Sequence, residues 1–336
     1  MLETVVMPIT YNCNCNCIMC SIPERRSKDL PLDFYNHIFD DKKLNCIKSI
    51  NITGGEPFLC KDLENIVEIV ISKCKDLKEI IFSTNGTLAQ SKERIESLIC
   101  KYSKCKFIVS VSLDSVNNHA DEIRGFKNIY IRQMNFITQL AELKKRYNNL
   151  KVVASMTITK KNCRDILAVF EWAKCTGVLV DYIYATVNSA YINSAKKKEQ
   201  FVIDAEDNRQ IVDDLKKVYK ENIIASDQLY YENLFEKLLY NTKCKRSCIN
   251  YEKKSMLIEA NGIVRICGMT EKSYLGNLLE ESFTDIYDKE VPKLRDVCDT
   301  CLTNSYNSYT RESQQRLANE MLRNIGKLRS NLSSRN

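Results

Sequence analysis

From residue 1 to about 190, short β-branched apolar runs alternate with longer stretches whose apolar residues recur at helical spacing. The strand-like runs cover 4–10, 47–53, 79–84, 107–113, 151–159 and 178–185, with helical patterns between them at about 32–41, 62–73, 92–101, 131–147 and 164–175. Regular alternation of this kind predicts βα units and a parallel sheet. Six such strands predict an α/β fold: a partial (β/α)6 TIM-like barrel with its chemistry at the C-terminal ends of the strands. Helices are predicted again near 205–221 and 227–240, beyond a lysine-bearing stretch, 193–204, that reads as a solvated connection. Residues 256–267 then read as two strands joined by an Asn261-Gly262 turn. The expected organisation is a barrel over 1–190, a helical connection over 191–243, a small cysteine-bearing extension of β-hairpin and helix over 244–310, and a basic helical tail over 311–336 with a disordered end.

Cysteine content adds to this picture. The chain has 16 cysteines in 336 residues, with no run of 18 apolar residues and no charged-then-apolar leader. Neither secretion nor a membrane span is expected, and a cytoplasmic, reducing setting makes these thiols metal ligands or small packing residues rather than disulfides. The net charge is +7, and from Leu302 onward six basic residues face two acidic ones. A solvated helix accounts for that tail more simply than nucleic acid does.

Three cysteines near the start, Cys13, Cys17 and Cys20, have the spacing C-x3-C-x2-C, and Cys15 lies among them. A [4Fe–4S] cube takes four thiolates, so a loop offering three leaves one iron open for chemistry. Structural zinc is the alternative for such a loop. Polar groups follow the later strands: Gly54-Gly55-Glu56-Pro57 after the second, Ser83-Thr84-Asn85-Gly86 after the third, and Ser110, Ser112 and Asp114 alternating along the fourth. Ile123-Arg124-Gly125 comes next, then Thr157, Thr159 and Asn162 on and after the fifth. Paired glycines allow close backbone approach to a ligand, and an arginine fork suits a carboxylate.

Over roughly residues 5–185 this order of motifs resembles the radical S-adenosylmethionine (SAM) enzymes. The resemblance implies a [4Fe–4S] cluster on Cys13, Cys17 and Cys20 whose free iron binds SAM, and Met19 packed near the adenine. It further implies that Gly54, Gly55, Glu56 and Pro57 hold the amino end of SAM. Ser83 and Asn85 would hydrogen-bond the cofactor, Ser112 and Asp114 the ribose, and Arg124 the SAM carboxylate, while Thr157, Thr159 and Asn162 resemble a further polar set. Reductive cleavage to a 5′-deoxyadenosyl radical, and hydrogen abstraction from an unactivated C–H bond, are the activity implied.

Nearer the C-terminus, Cys248 and Cys267 have 18 residues between them, Gly262 among these, and Cys298 and Cys301 form C-x2-C. Four thiolates suit a cube or a zinc tetrahedron. This pattern resembles the opening of the SPASM and twitch extensions of radical SAM enzymes; with no cysteine after Cys301 it departs from the two-cluster SPASM form and fits the shorter twitch form, which implies one auxiliary [4Fe–4S] cluster on Cys248, Cys267, Cys298 and Cys301. Cys244 is an alternative ligand or a free thiol. Family members with such extensions often act on ribosomal peptides, by oxidation, cross-linking or epimerisation; a sugar, aminocyclitol or other small metabolite is the second reading. An external donor of flavodoxin or ferredoxin type is expected. Only 12 residues precede Cys13, so the leader of a peptide substrate is expected to need a separate leader-binding protein or the basic tail. A non-enzymatic zinc protein is the remaining alternative, but it gives the polar set from Gly54 to Arg124 no role.

Overall fold

The computed structural model describes residues 1–25, 27–242, 248–294 and 301–302. The tail over 311–336, Cys244 and Cys298 therefore lie outside the described residues. Six strands form in sequence: β1 (Thr4–Pro8), β2 (Ser49–Thr53), β3 (Glu79–Thr84), β4 (Lys106–Ser112), β5 (Leu150–Ile158) and β6 (Leu179–Tyr184). They run parallel in that order, with α1 (Leu32–Ile38), α2 (Leu63–Lys73), α3 (Ser91–Lys101), α4 (His119–Arg124), α5 (Ile129–Arg146) and α6 (Ile166–Thr176) in the crossovers. This is the partial barrel that the alternation predicts.

Pleating sorts the side chains. On the helix-facing side Ile50, Ile52, Ile80, Phe82, Phe107, Val109, Val152 and Ala154 are all buried in one core. Phe82 is flanked by Phe58 and Phe107, with ring centroids 5.5 and 6.2 Å away. The opposite face changes character along its length. Ile81, Ile108 and Val153 form a small apolar plug with Leu179 and Ala225. Further toward the C-terminal ends, Ser83 stands opposite Ser110 and Ser112 opposite Ser155. A dry floor and a polar mouth thus follow from residue alternation alone.

Beyond β6 the chain forms α7 (Lys198–Phe201), α8 (Asn208–Val218) and α9 (Gln228–Tyr240). The stretch 193–204 is solvated only in part, with Lys196, Lys198, Glu199, Gln200, Val202 and Asp204 exposed. Phe201 is fully buried, Ser194 is nearly so, and Lys197 donates to the Cys20 carbonyl at 2.8 Å. Lys197 departs from the solvated reading because a long stem can lie along the protein with its charged head on a backbone oxygen. The chain then returns to the barrel. Strand β7 (Ser255–Ile258) pairs in parallel with β1, and β8 (Ile263–Arg265) and β9 (Tyr274–Asn277) follow antiparallel, completing a nine-stranded sheet. The Asn261-Gly262 turn is as expected, with Gly262 at φ +84. The short α10 (Phe283–Asp288) packs on β9. Both α4 and α10 span only six residues, too few to show helical periodicity in sequence.

Phe82→Ala would empty the centre of the aromatic row. The expected loss is about 3–5 kcal/mol of stability, read as a lower urea midpoint.

Candidate active site at the C-terminal ends of the strands

The segment leaving β1 carries Cys13, Cys15, Cys17 and Cys20, and its backbone is held from two sides. Toward β2, Gly55 N donates to Thr10 O and Glu56 N to Asn12 O, both at 2.8 Å. Toward α4, Asn16 N donates to Arg124 O at 3.0 Å and Ile18 N to Ile123 O at 2.9 Å. No side chain fits at these contacts. A Cβ on Gly54 would lie 2.3 Å from Thr10 O, one on Gly55 2.2 Å from Asn12 O, and one on Gly125 (φ +61) 2.6 Å from Asn16 O. The paired glycines thus make room for the cysteine loop itself, where the sequence suggested room for a ligand.

Inside the loop, Cys15 and Cys17 are buried with Ala120 and Ile129, and Cys13, Cys20, Met19, Phe126 and Tyr130 pack around them. The thiols differ electrically. Cys13 is drawn below the usual thiol range, first by the hydrogen bond with the Cys15 thiol and further by Cys15 N–H, Arg124 and Asn85. Burial pushes Cys17 up, and Cys20 to about 12. Arg124 is the cation acting on all of them, with a guanidinium nitrogen 3.7 Å from Cys17 Sγ. Burial penalises ionisation of Cys17 and Cys20, and added positive charge, as an iron–sulfur cluster would supply, would offset that penalty. Among the described residues no three His, Cys, Asp or Glu side chains converge on one ion. A cube needs no such convergence, since each thiolate binds its own iron.

Several groups assigned to SAM by resemblance have partners within the protein. Glu56 is completely buried, and its carboxylate accepts from Thr84 Oγ1 (2.8 Å), Asn85 N (2.7 Å) and Phe58 N (3.2 Å). It fastens the loop after β2 to the loop after β3. Arg124 places two nitrogens of its fork on Asp114, which also accepts from Thr157 N at 2.9 Å. That carboxylate occupies the fork expected to face SAM. Ser83 donates to Asn51 Oδ1 at 3.0 Å, and Asn85 donates to Asn14 Oδ1 at 2.8 Å and lies 3.9 Å from Cys13 Sγ. Asn162 donates to Asp114 O and Thr157 O, while Thr159 donates to Asn162. These residues build the frame of the cysteine loop. Ser112 is half-buried at the polar mouth, and Met19 packs on the cluster of Cys15, Cys17, Ala120 and Ile129.

In the C-terminal part, Cys267 follows β8, and its thiol is pushed up by burial and then by Cys301 and Cys248. Three of the four expected auxiliary ligands thus share one neighbourhood, Cys298 being outside the described residues. Sequence reasoning missed a second group nearby: Tyr11, Arg25, Glu259, Arg265 and Tyr191. Tyr11 and Glu259 are 248 positions apart, and no local spacing signals such a pair.

The radical SAM superfamily model matches residues 7–173, and an iron–sulfur cluster-binding SPASM model matches 248–310. The chain belongs to the radical SAM superfamily. Two Bacillus subtilis (strain 168) proteins are similar to it. The antilisterial bacteriocin subtilosin biosynthesis protein AlbA is 28% identical over 83% of this chain and 58% of its own length. The sporulation killing factor maturation protein SkfB is 24% identical over 83% of this chain and 63% of its own. The chain therefore spans about three fifths of these relatives. Among solved structures, Streptococcus suis SuiB bound to S-adenosylmethionine superposes with a TM-score of 0.62 at 18% identity, covering 87% of this chain and 67% of that one. SuiB bound to its precursor peptide SuiA gives 0.62 at 17% identity, covering 86% and 65%. These likenesses carry the radical SAM fold, and the superfamily and SPASM matches imply SAM and iron–sulfur clusters.

Gly55→Ala in this radical SAM chain is expected to displace the cysteine loop, cutting iron uptake on reconstitution by about half while far-UV circular dichroism is retained. Glu56 supplies a pH signature. Burial raises its carboxyl to about 7, against the hydrogen bonds from Asn85 N, Thr84 and Phe58. The folded chain holds this proton after an unfolded glutamate has released its own, so stability falls as pH rises from about 4.5 to about 7, by roughly 3 kcal/mol. Urea titrations of the metal-free protein should show that fall, and Glu56→Gln should flatten it.

Proposed function

We propose that this chain reductively cleaves SAM and removes a hydrogen atom from a peptide or peptide-like natural-product precursor, leading to its oxidation, cross-linking or epimerisation. Cys13, Cys17 and Cys20 would hold the SAM-binding [4Fe–4S] cluster, and Cys248, Cys267, Cys298 and Cys301 one auxiliary [4Fe–4S] cluster. The observation that carries this reading is the cysteine loop after β1, clamped by backbone contacts to the segment after β2 and to α4, with Cys17 buried beside Arg124. When bound, the cluster and SAM supply reductive cleavage and the hydrogen-abstracting radical.

The protein's part is to bind, orient and shield. Arg124, fixed by Asp114, sets positive charge against Cys17 and offsets the negative charge that thiolates bring. Asn85 and the Cys15 N–H do the same at Cys13. The plug of Ile81, Ile108 and Val153 closes the barrel below the polar mouth and keeps water from that side. A peptide is favoured over a small metabolite because AlbA and SkfB align over most of the chain, extension included, and their names speak of bacteriocin biosynthesis and killing-factor maturation. SuiB, of the same fold, was solved with a precursor peptide. An external flavodoxin- or ferredoxin-type donor and a separate leader-binding protein complete the proposed partners. No described helix is long and apolar enough to cross a membrane, and the proposed setting is the reducing cytoplasm.

Anaerobic reconstitution tests this. The protein should turn brown, bind about eight irons per chain and form 5′-deoxyadenosine under dithionite. Replacing Cys13, Cys17 or Cys20 by Ala should abolish that product, and Cys267→Ala should remove about half the iron. A peptide deuterated at the reacting position should pass deuterium into 5′-deoxyadenosine. A colourless zinc-loaded protein that ignores SAM would overturn the proposal.

A further inference from the structure

A single buried carboxylate joins the two cysteine-bearing regions. Glu259 lies just past β7 with its side chain wholly shielded. Its Oε2 accepts from the Tyr11 hydroxyl at 2.8 Å and from Arg25 at 2.6 Å, and its Oε1 accepts from Arg265 Nε at 2.5 Å. In the chain, Tyr11 stands two residues before Cys13, Arg25 five after Cys20, and Arg265 two before Cys267. Glu259 therefore grips both flanks of the first cysteine loop and the strand that delivers Cys267.

Residues 188–197 cross the same junction. On the extension side, Tyr191 N donates to Gly268 O and Ser189 N to Met269 O, both at 3.1 Å. On the loop side, Ser21 N donates to Ile192 O at 3.0 Å and Lys197 Nζ to Cys20 O at 2.8 Å. The Tyr191 hydroxyl donates to Gly54 O at 3.2 Å, and Tyr11, Ile22 and Ala260 pack together with Cys20, Tyr191 and Ile192.

The sheet alone cannot fix how the two regions face each other. Among the described residues β1 and β7 pair through Thr4, Val5 and Val6, whereas Cys13, Cys17, Cys20 and Cys267 lie beyond the strand ends. A carboxylate shared by two guanidiniums out of water is satisfied in one arrangement, because parting the segments strands a buried charge. We infer that Glu259 and Tyr191 are positioning residues, forming a buried latch that holds the two cysteine sites at one separation and orientation. This inference rests on the proposed two-cluster reading for its purpose, though not for its test.

Hydrogen–deuterium exchange of the full metal-free chain reads the latch directly. Glu259→Gln should speed exchange roughly tenfold, the middle of the range for residues sharing one network, and it should do so together in 11–25, 188–197 and 259–268. Tyr191→Phe, which removes one hydroxyl and keeps the ring, should loosen the same three segments less, and it decides the matter if Glu259→Gln does not fold. In the reconstituted protein, the magnetic interaction between the two reduced clusters should change in both variants. Faster exchange confined to 259–268, or no change in 11–25 with Tyr191→Phe, would overturn the latch. Wild-type protein that fails to cleave SAM would overturn the proposed function instead, and leave the exchange result to stand by itself.

Discussion

The cysteine loop touches its neighbours backbone to backbone, and the rest of the site follows from that contact. With Thr10 O and Asn12 O against Gly54 and Gly55, and Asn16 O against Gly125, there is no space for a Cβ on either side. Thiols mounted on so constrained a main chain are fixed in position before any metal arrives. Preorganisation of this kind is what a cluster with one open iron requires, since its geometry cannot be completed by a fourth protein ligand.

The polar residues around the loop serve the same constraint. Glu56 joins the loops after β2 and β3, Asp114 joins Arg124 to the C-terminal end of β5, and Asn162 closes onto both Asp114 and Thr157. Each would be costly to bury unpaired, and each is paired. Together they tie the C-terminal ends of four strands into one rim, so that displacement of any one connection is felt by the cysteines. In a radical SAM protein, where a reactive species must meet one chosen bond, a rigid rim has evident use.

Much of this was legible in the residues. The alternation gave all six barrel strands, Asn261-Gly262 gave the hairpin, and Cys13, Cys17 and Cys20 marked the loop, because each is a local pattern with a local physical cause. The partners of the charged groups were not legible. Glu56 and Arg124 read as ligands for a cofactor, since a carboxylate and a guanidinium on a strand end look alike whether they face a solute or one another. In the structure Thr84 and Asn85 close on Glu56 and Asp114 fills the Arg124 fork, and neither contact follows from spacing. The contacts of Tyr11 and Arg25 with Glu259 were further out of reach, since a pair joined across more than two hundred residues leaves no trace in either neighbourhood.

Parallel pairing of β1 with β7 carries a consequence for how the molecule is made. Thr4, Val5 and Val6 must wait for Ser255, Met256 and Leu257, which are synthesised about 250 residues later. At ordinary translation speeds the delay is roughly 10–50 s. Throughout it the first strand exposes an open hydrogen-bonding margin of the kind that recruits stray strands. The hairpin that brings Cys267 is also the piece that seals this margin, so newborn chains are most prone to stick to one another just before their last quarter emerges from the ribosome.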